Sequence, residues 1–342
     1  MTPQKQGEGQ STYRHERLTH MGHKGLPKSV PITTLRKSDL LKALVRVDKG
    51  TASTQRALKL ETDFRVMIKT HVESLPTNES EFSKFNTNPF VLMIHCFNKH
   101  YQRINQIEAD ILPAKVFSSM ETSAGRMVEA VVLPNYSWEI VPSSMHSSNS
   151  VLDGKQHRGD VLRLATLKSG ARCLNDEMSE NIADAIIANS TGWAKEANVK
   201  RIDFTYGVLY GTKKQSNKKD WHILRNIAEK LPKALTIAPD QRWACQYKKN
   251  GITVDVTIRI GLDLWNYIAD HNLTFMELSV ALIRACVTPV EIQPGNQIYA
   301  ISDLGKIVSL DSTPSNFNVS IIQRSQLEWL FFFARHFCDE LI

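Results

Sequence analysis

Two side chains in this 342-residue chain have the types and spacing for chemistry on a phosphate: Asp153 and Lys168, in the stretch SVLDGKQHRGDVLRLATLKSG. A carboxylate is an oxygen ligand for a hard cation, and an ammonium group is a compact donor to phosphate oxygens. Their use together depends on the elements that carry them. Val161, Leu162, Leu164, Ala165 and Leu167 form a nearly continuous apolar run of strand length, the pattern of a strand covered on both faces. A short strand is expected to end near Asp153, followed by a polar turn and a second strand over 160–168. Ser169 and Gly170 stop that strand, Asn175 is a good helix N-cap, and Asp176 and Glu177 complement the dipole of the first turn. A strand, turn, strand, helix unit places Asp153 and Lys168 near one end of a hairpin.

The segment LKSGARCLNDEMSENIADAI resembles the lysine, small-residue turn and Asn-capped helix of Type II restriction endonucleases, and the whole unit resembles the catalytic core of the PD-(D/E)xK nucleases. On that resemblance Asp153 stands at the first acid, Thr166 at the second acid and Lys168 at the lysine, with Leu152 where the family has proline. The missing second carboxylate is then expected from a neighbouring helix. METSAGRMVE resembles the helix that precedes the catalytic hairpin, and a helical wheel puts Glu121 at the border of its apolar face and Glu129 nearly opposite. The expected metal ligands are therefore Asp153 and Glu121, with Glu177 or Glu180 as alternatives for the second carboxylate; Asp160 is a turn residue or a weaker ligand.

The resemblance implies an α/β fold, a central mixed β-sheet flanked by helices with an N-terminal helical layer. It also implies Mg²⁺-dependent hydrolysis of double-stranded DNA at a short recognition sequence, by a homodimer in a prokaryotic cytoplasm. A cognate DNA methyltransferase is expected in the same system, not as a stable subunit. The resemblance spans residues 113–270, and its specific part is 150–190.

A net charge of +7 favours a polyanionic partner. Five scattered cysteines without a CxxC pair read as reduced thiols rather than a zinc site. No apolar run reaches about eighteen residues and no signal-type core opens the chain, so neither a membrane span nor a secretion signal is expected. No GxxxxGK[ST], GxGxxG after a strand, GxSxG or HExxH motif is present, which argues against the common nucleotide, hydrolase and zinc-protease sites.

Three regions follow along the chain. Residues 1–37 read as a basic, poorly ordered arm, with seven Lys or Arg against two Glu, that either tracks phosphates or stays solvated; its His20 and His23 are too isolated to define a metal site. Residues 38–112 read as helical: Leu40, Leu41, Leu44 and Val45 keep helical spacing, and a helix over 89–107, with Asn88 as cap and Pro89 at its first position, carries a core stripe of Phe90, Ile94, Phe97, Tyr101 and Ile104. Residues 113–342 form the catalytic and DNA-recognition region. It opens with a helix over 113–133 and a strand over 136–141 that leads into the polar loop PSSMHSSN.

Beyond the hairpin, residues 200–212 read as a strong strand in the same sheet, followed by the basic loop KKQSNKKDWH. Lys213, Lys214, Lys218 and Lys219, together with Arg172, are the candidate DNA contacts, with Ser216 or Asn217 reaching base edges; a solvated charge run before a helix is the competing reading. Asn250-Gly251 marks a hairpin between 242–247 and 252–258, the strongest turn signal in the chain. Helices follow over IGLDLWNYI and 274–286, then a turn-rich stretch over 293–318. A closing helix over 323–341 has Leu327, Leu330, Phe331, Phe333, Ala334 and Phe337 on its apolar face, which is either core or a dimer contact. Two alternatives stay open: a non-catalytic DNA-binding protein of the same fold, which Thr166 in an acid position favours, and a repair or non-specific nuclease.

Overall fold

In a computed structural model of the chain, the apolar run becomes β4 (Val161–Lys168), a central strand buried on both faces along most of its length. Residues 30–75, 89–101, 103, 105–142, 150–231, 235–237, 243–291 and 300–342 are described here. The arm over 1–29, Asn88, the polar loop over 143–149 and the start of the turn-rich stretch, 293–299, lie outside them.

β4 pairs antiparallel with β3 (Gly154–Arg158), and β3 pairs with the short β2 (Glu139–Ile140). On its other side β4 runs parallel to β5 (Arg201–Val208), which is parallel to β8 (Ile252–Ile260). The hairpin partner β7 (Trp243–Lys249) and then β6 (Leu235–Ile237) complete a seven-stranded mixed sheet in the order β2-β3-β4-β5-β8-β7-β6. The Asn-Gly signal is met: Asn250 and Gly251 have φ of 51° and 79°, the two left-handed residues a type I′ turn needs. The first strand of the Asp153–Lys168 hairpin, by contrast, begins immediately after Asp153 instead of ending near it, and Asp160 is an exposed turn residue.

Helices cover both faces of the sheet. α5 (Asp176–Glu196), capped by Asn175 Oδ1 accepting from the Met178 amide, packs with α6 (Lys219–Lys230) on the face of Leu164, Phe204, Val256 and Ile258. The opposite face, with Ala165 and Leu167, meets α7 (Leu262–Ala269), α8 (Thr274–Cys286) and α10 (Leu327–Arg335). The N-terminal helices α1 (Lys37–Lys49) and α2 (Thr51–Glu73) join that same core through Leu44, Leu60 and Phe64, so this layer shares its packing with the C-terminal helices. A small helix α9 (Ser302–Val308) lies against α10. Thr34–Leu35 (β1) leaves the expected arm to pair in parallel with Glu340–Leu341 (β9). The closing helix therefore stops at Arg335, and the chain ends in a strand.

Two helical expectations change. The helix over 89–107 is α3 (Pro89–Lys99), ended by His100 in a left-handed conformation, and its stripe is not core: Phe90, Ile94 and Phe97 are 77%, 68% and 82% exposed. The next helix, α4 (Asn105–Asn135), starts before Pro113 and buries only its C-terminal end, at Val131, Val132 and Leu133, while Phe117 and Met120 face solvent. Amphipathic spacing named a helix correctly in both places and its buried face wrongly. No helix among the described residues is long and apolar enough to cross a membrane.

Candidate active site

The hairpin and α4 together build the site. Asp153 precedes β3, its amide donating to the Ala165 carbonyl at 2.9 Å, which locks it across from the end of β4. Its Oδ2 accepts from the Leu167 amide at 2.6 Å, leaving Oδ1 for another partner. Lys168 is half-buried at the C-terminal end of β4, and among the described residues no hydrogen bond engages its ammonium. Its carbonyl accepts from the Leu209 amide at 2.9 Å, so the loop after β5 is fixed to it.

Across this end of the hairpin runs a stripe of α4 with helical i, i+4 spacing. At Gly125 an added Cβ would stand 3.3 Å from the Ser169 Cβ, and one at Gly154 would stand 3.0 Å from the Leu133 side chain. α4 therefore crosses the hairpin with Gly125 over the turn after Lys168 and Leu133 over the residue after Asp153. Glu129 lies midway between those contacts. Its electrostatic partners are Asp153, Lys168 and Arg126.

Burial first, and the neighbouring Asp153 carboxylate second, push the Glu129 carboxyl up to about 7, against the opposing pull of Lys168 and Arg126. Burial also raises Asp153, opposed by the Leu167 amide and then by Lys168. Two acids facing each other at a partly desolvated site are a condition a divalent cation relieves.

The structure thus brings Asp153 and Lys168 together as expected and adds Glu129 in the place given to Glu121. Glu121 is on the same stripe, two turns earlier and about 12 Å along the axis, past the edge of the hairpin and exposed. Glu180 faces α6, its Oε1 3.9 Å from the Lys230 ammonium, and Glu177 is exposed. Thr166 donates its hydroxyl to the Val151 carbonyl and so steadies the turn before Asp153. The available signal for Glu129 was Gly125, a glycine inside a helix: it marks where a helix approaches closely, and the residue one turn on shares that face.

The basic loop is largely tied to the protein. Lys219 pairs with Asp176 at 2.7 Å, and Lys213 and Lys218 lie 5.7 and 5.6 Å from the Trp243 ring centre. Lys218 also donates to the Lys213 carbonyl, and burial lowers its pKa. Ser216 is buried against Asp220, and Asn217 donates to the Leu174 carbonyl at 2.9 Å, so neither side chain is presented to a base edge. Lys214 and Arg172 are exposed, Arg172 steadied by Nε donating to the Gln215 carbonyl at 3.0 Å.

Among the described residues no group of three or more His, Cys, Asp or Glu side chains is placed to hold a metal ion. Asp153 and Glu129 still fit a Mg²⁺ ion, which keeps several waters and commonly binds through one or two carboxylates together with a substrate phosphate. In comparisons with known proteins, no family model matches the chain and no curated protein matches it significantly.

Proposed function

We propose that this chain is a Mg²⁺-dependent endonuclease of the Type II restriction kind, hydrolysing phosphodiester bonds of double-stranded DNA at a short recognition sequence. The observation that carries this reading is the convergence of Asp153, Glu129 and Lys168 on one end of the β3–β4 hairpin. The order α4, β2, β3, β4, α5, β5, with β5 parallel to β4, supports it as a helix, three-strand meander, helix, strand core of the kind the family resemblance implies.

In this reading the Asp153 and Glu129 carboxylates would hold the cation, while the Leu167 amide keeps Asp153 from rotating. Bound Mg²⁺ supplies positive charge and Lewis acidity at the scissile phosphate. Lys168 orients the attacking water, and its charge opposes the negative charge that develops on the phosphorus oxygens. Glu129, protonated near neutrality without the cation, gives up that proton when the cation binds.

Double-strand cleavage at a symmetric site calls for two copies related by a two-fold axis, and the exposed apolar α3 is the face we assign to that contact. A prokaryotic cytoplasm and a separate cognate methyltransferase complete the proposal. One observation favours a second reading, a DNA-binding protein of the same fold without catalysis: the Thr166 hydroxyl is spent on the Val151 carbonyl and offers nothing to a metal.

Incubating the chain with unmethylated phage DNA, with and without Mg²⁺, separates the possibilities on a gel. Discrete Mg²⁺-dependent fragments are expected. A smear would indicate a non-specific or repair nuclease, and shifted but intact DNA the non-catalytic reading.

A further inference from the structure

The outer face of α10 carries aromatic rings where an amphipathic surface helix ordinarily carries charge. Leu327, Leu330, Phe331 and Ala334 point into the core, whereas Trp329 and Phe332 are 49% and 40% exposed and His336 is exposed as well. The rings form a row: Trp329 and Phe332 meet edge to face with centres 6.1 Å apart, and Phe332 and His336 do so at 5.1 Å. That row ends against the candidate active site. The His336 carbonyl accepts from the Gly211 amide at 2.9 Å, and the preceding Tyr210 is 47% exposed. A Cβ on Gly170 would come 3.1 Å from the Tyr210 hydroxyl, and Leu209, one residue earlier, is bonded to the carbonyl of Lys168.

We propose that Tyr210, His336, Phe332 and Trp329 form a stacking track for unpaired bases of a DNA strand that leaves the active site. Exposed rings offer π-faces to unpaired bases irrespective of sequence, and contiguous exposed aromatics mark a surface built for a partner. The track spans about 10 Å along α10 beyond Tyr210. Exposed Lys214 and Arg172 beside the Tyr210 loop, on a chain of net charge +7, match a polyanionic strand rather than an acidic protein face. The choice of DNA as the strand rests on the nuclease reading; the stacking surface itself does not.

Five of the six tryptophans, Trp138, Trp193, Trp221, Trp243 and Trp265, are buried, so Trp329 reports on this surface by its own fluorescence. The test measures binding of the full chain, in chelator, to a blunt duplex and to the same duplex with a single-stranded tail. The tailed duplex is expected to bind more tightly and to quench tryptophan fluorescence. Trp329→Ala and Phe332→Ala are each expected to reduce the preference for the tail about tenfold while leaving blunt-duplex binding unchanged. Trp329→Phe is expected to keep the affinity and lose the quench.

Equal affinity of the wild type for both duplexes would overturn the proposal, as would an equal loss for both in the alanine variants. So would sedimentation showing that the double variant Trp329→Ala/Phe332→Ala falls from two copies to one with its tail preference intact, because the rings would then be a contact between copies. Tail preference without any Mg²⁺-dependent cleavage would retire the nuclease reading and keep the track; cleavage without tail preference would do the reverse.

Discussion

A single carboxylate decides how the site behaves with pH. Glu129, ordinarily near 4.5, is held at about 7 in the folded protein. Between those values the folded chain keeps a proton that the unfolded chain has lost, so stability falls as pH rises across that window and levels off above it. Melting temperatures measured in chelator from acid to neutral pH should show this decline, and Glu129→Gln should flatten it. Mg²⁺ should flatten it too, by holding the carboxylate ionised. In cleavage assays Asp153→Ala, Lys168→Ala and Glu129→Gln should each lose about 100- to 1,000-fold in rate, whereas Glu121→Gln should cut like the wild type. Full activity in Glu129→Gln would remove it from the site. That Asp153 and Lys168 share one end of the hairpin was legible because local sequence sets where the strands of a hairpin end. Glu129 was not, because its role depends on where a helix distant in sequence crosses the hairpin, which the spacing of its own apolar residues misreports.

That crossing is held by an ion pair around one buried carboxylate, away from the candidate site. Glu277 of α8 is fully buried and accepts from Arg56 of α2, with contacts as short as 2.7 Å, and from the Tyr136 hydroxyl at 2.6 Å. Tyr136 directly follows α4, so the same carboxylate joins the N-terminal layer, the C-terminal helices and the end of the helix that carries Glu129. Glu277→Ala takes the buried carboxylate from the Tyr136 hydroxyl and from Arg56, which keeps Ser53 and its solvent exposure, and should cost about 1–3 kcal/mol in urea unfolding. A loss under about 1 kcal/mol would mean that water substitutes readily at this junction. The strands, the Asn-Gly hairpin and the cap of α5 follow from local rules of period and turn chemistry, which explains why they could be read directly. The exposure of the α3 stripe and of most of α4 could not, since an apolar stripe does not say what, in the same chain, lies against it.

At the scale of the whole molecule, the apolar surface of α3 is the contact assigned to a second copy. Val91, Met93, Ile94 and Phe97 are all exposed, a patch of roughly several hundred Å². Sedimentation should find two copies for the wild type and one for Phe97→Asp; two copies for both would move the contact elsewhere. The small sheet that joins β1 to β9 has a mechanical meaning. Its strands are parallel, with Thr34 beside Glu340 and Leu35 beside Leu341, and the Thr33 amide donates to Asp339 at 2.8 Å. Force applied at residues 30 and 342 pulls the two strands along their own direction in opposite senses. The hydrogen bonds are then loaded together instead of one after another, and this two-residue pair acts as a shear clamp that must fail before the helices behind it feel the load.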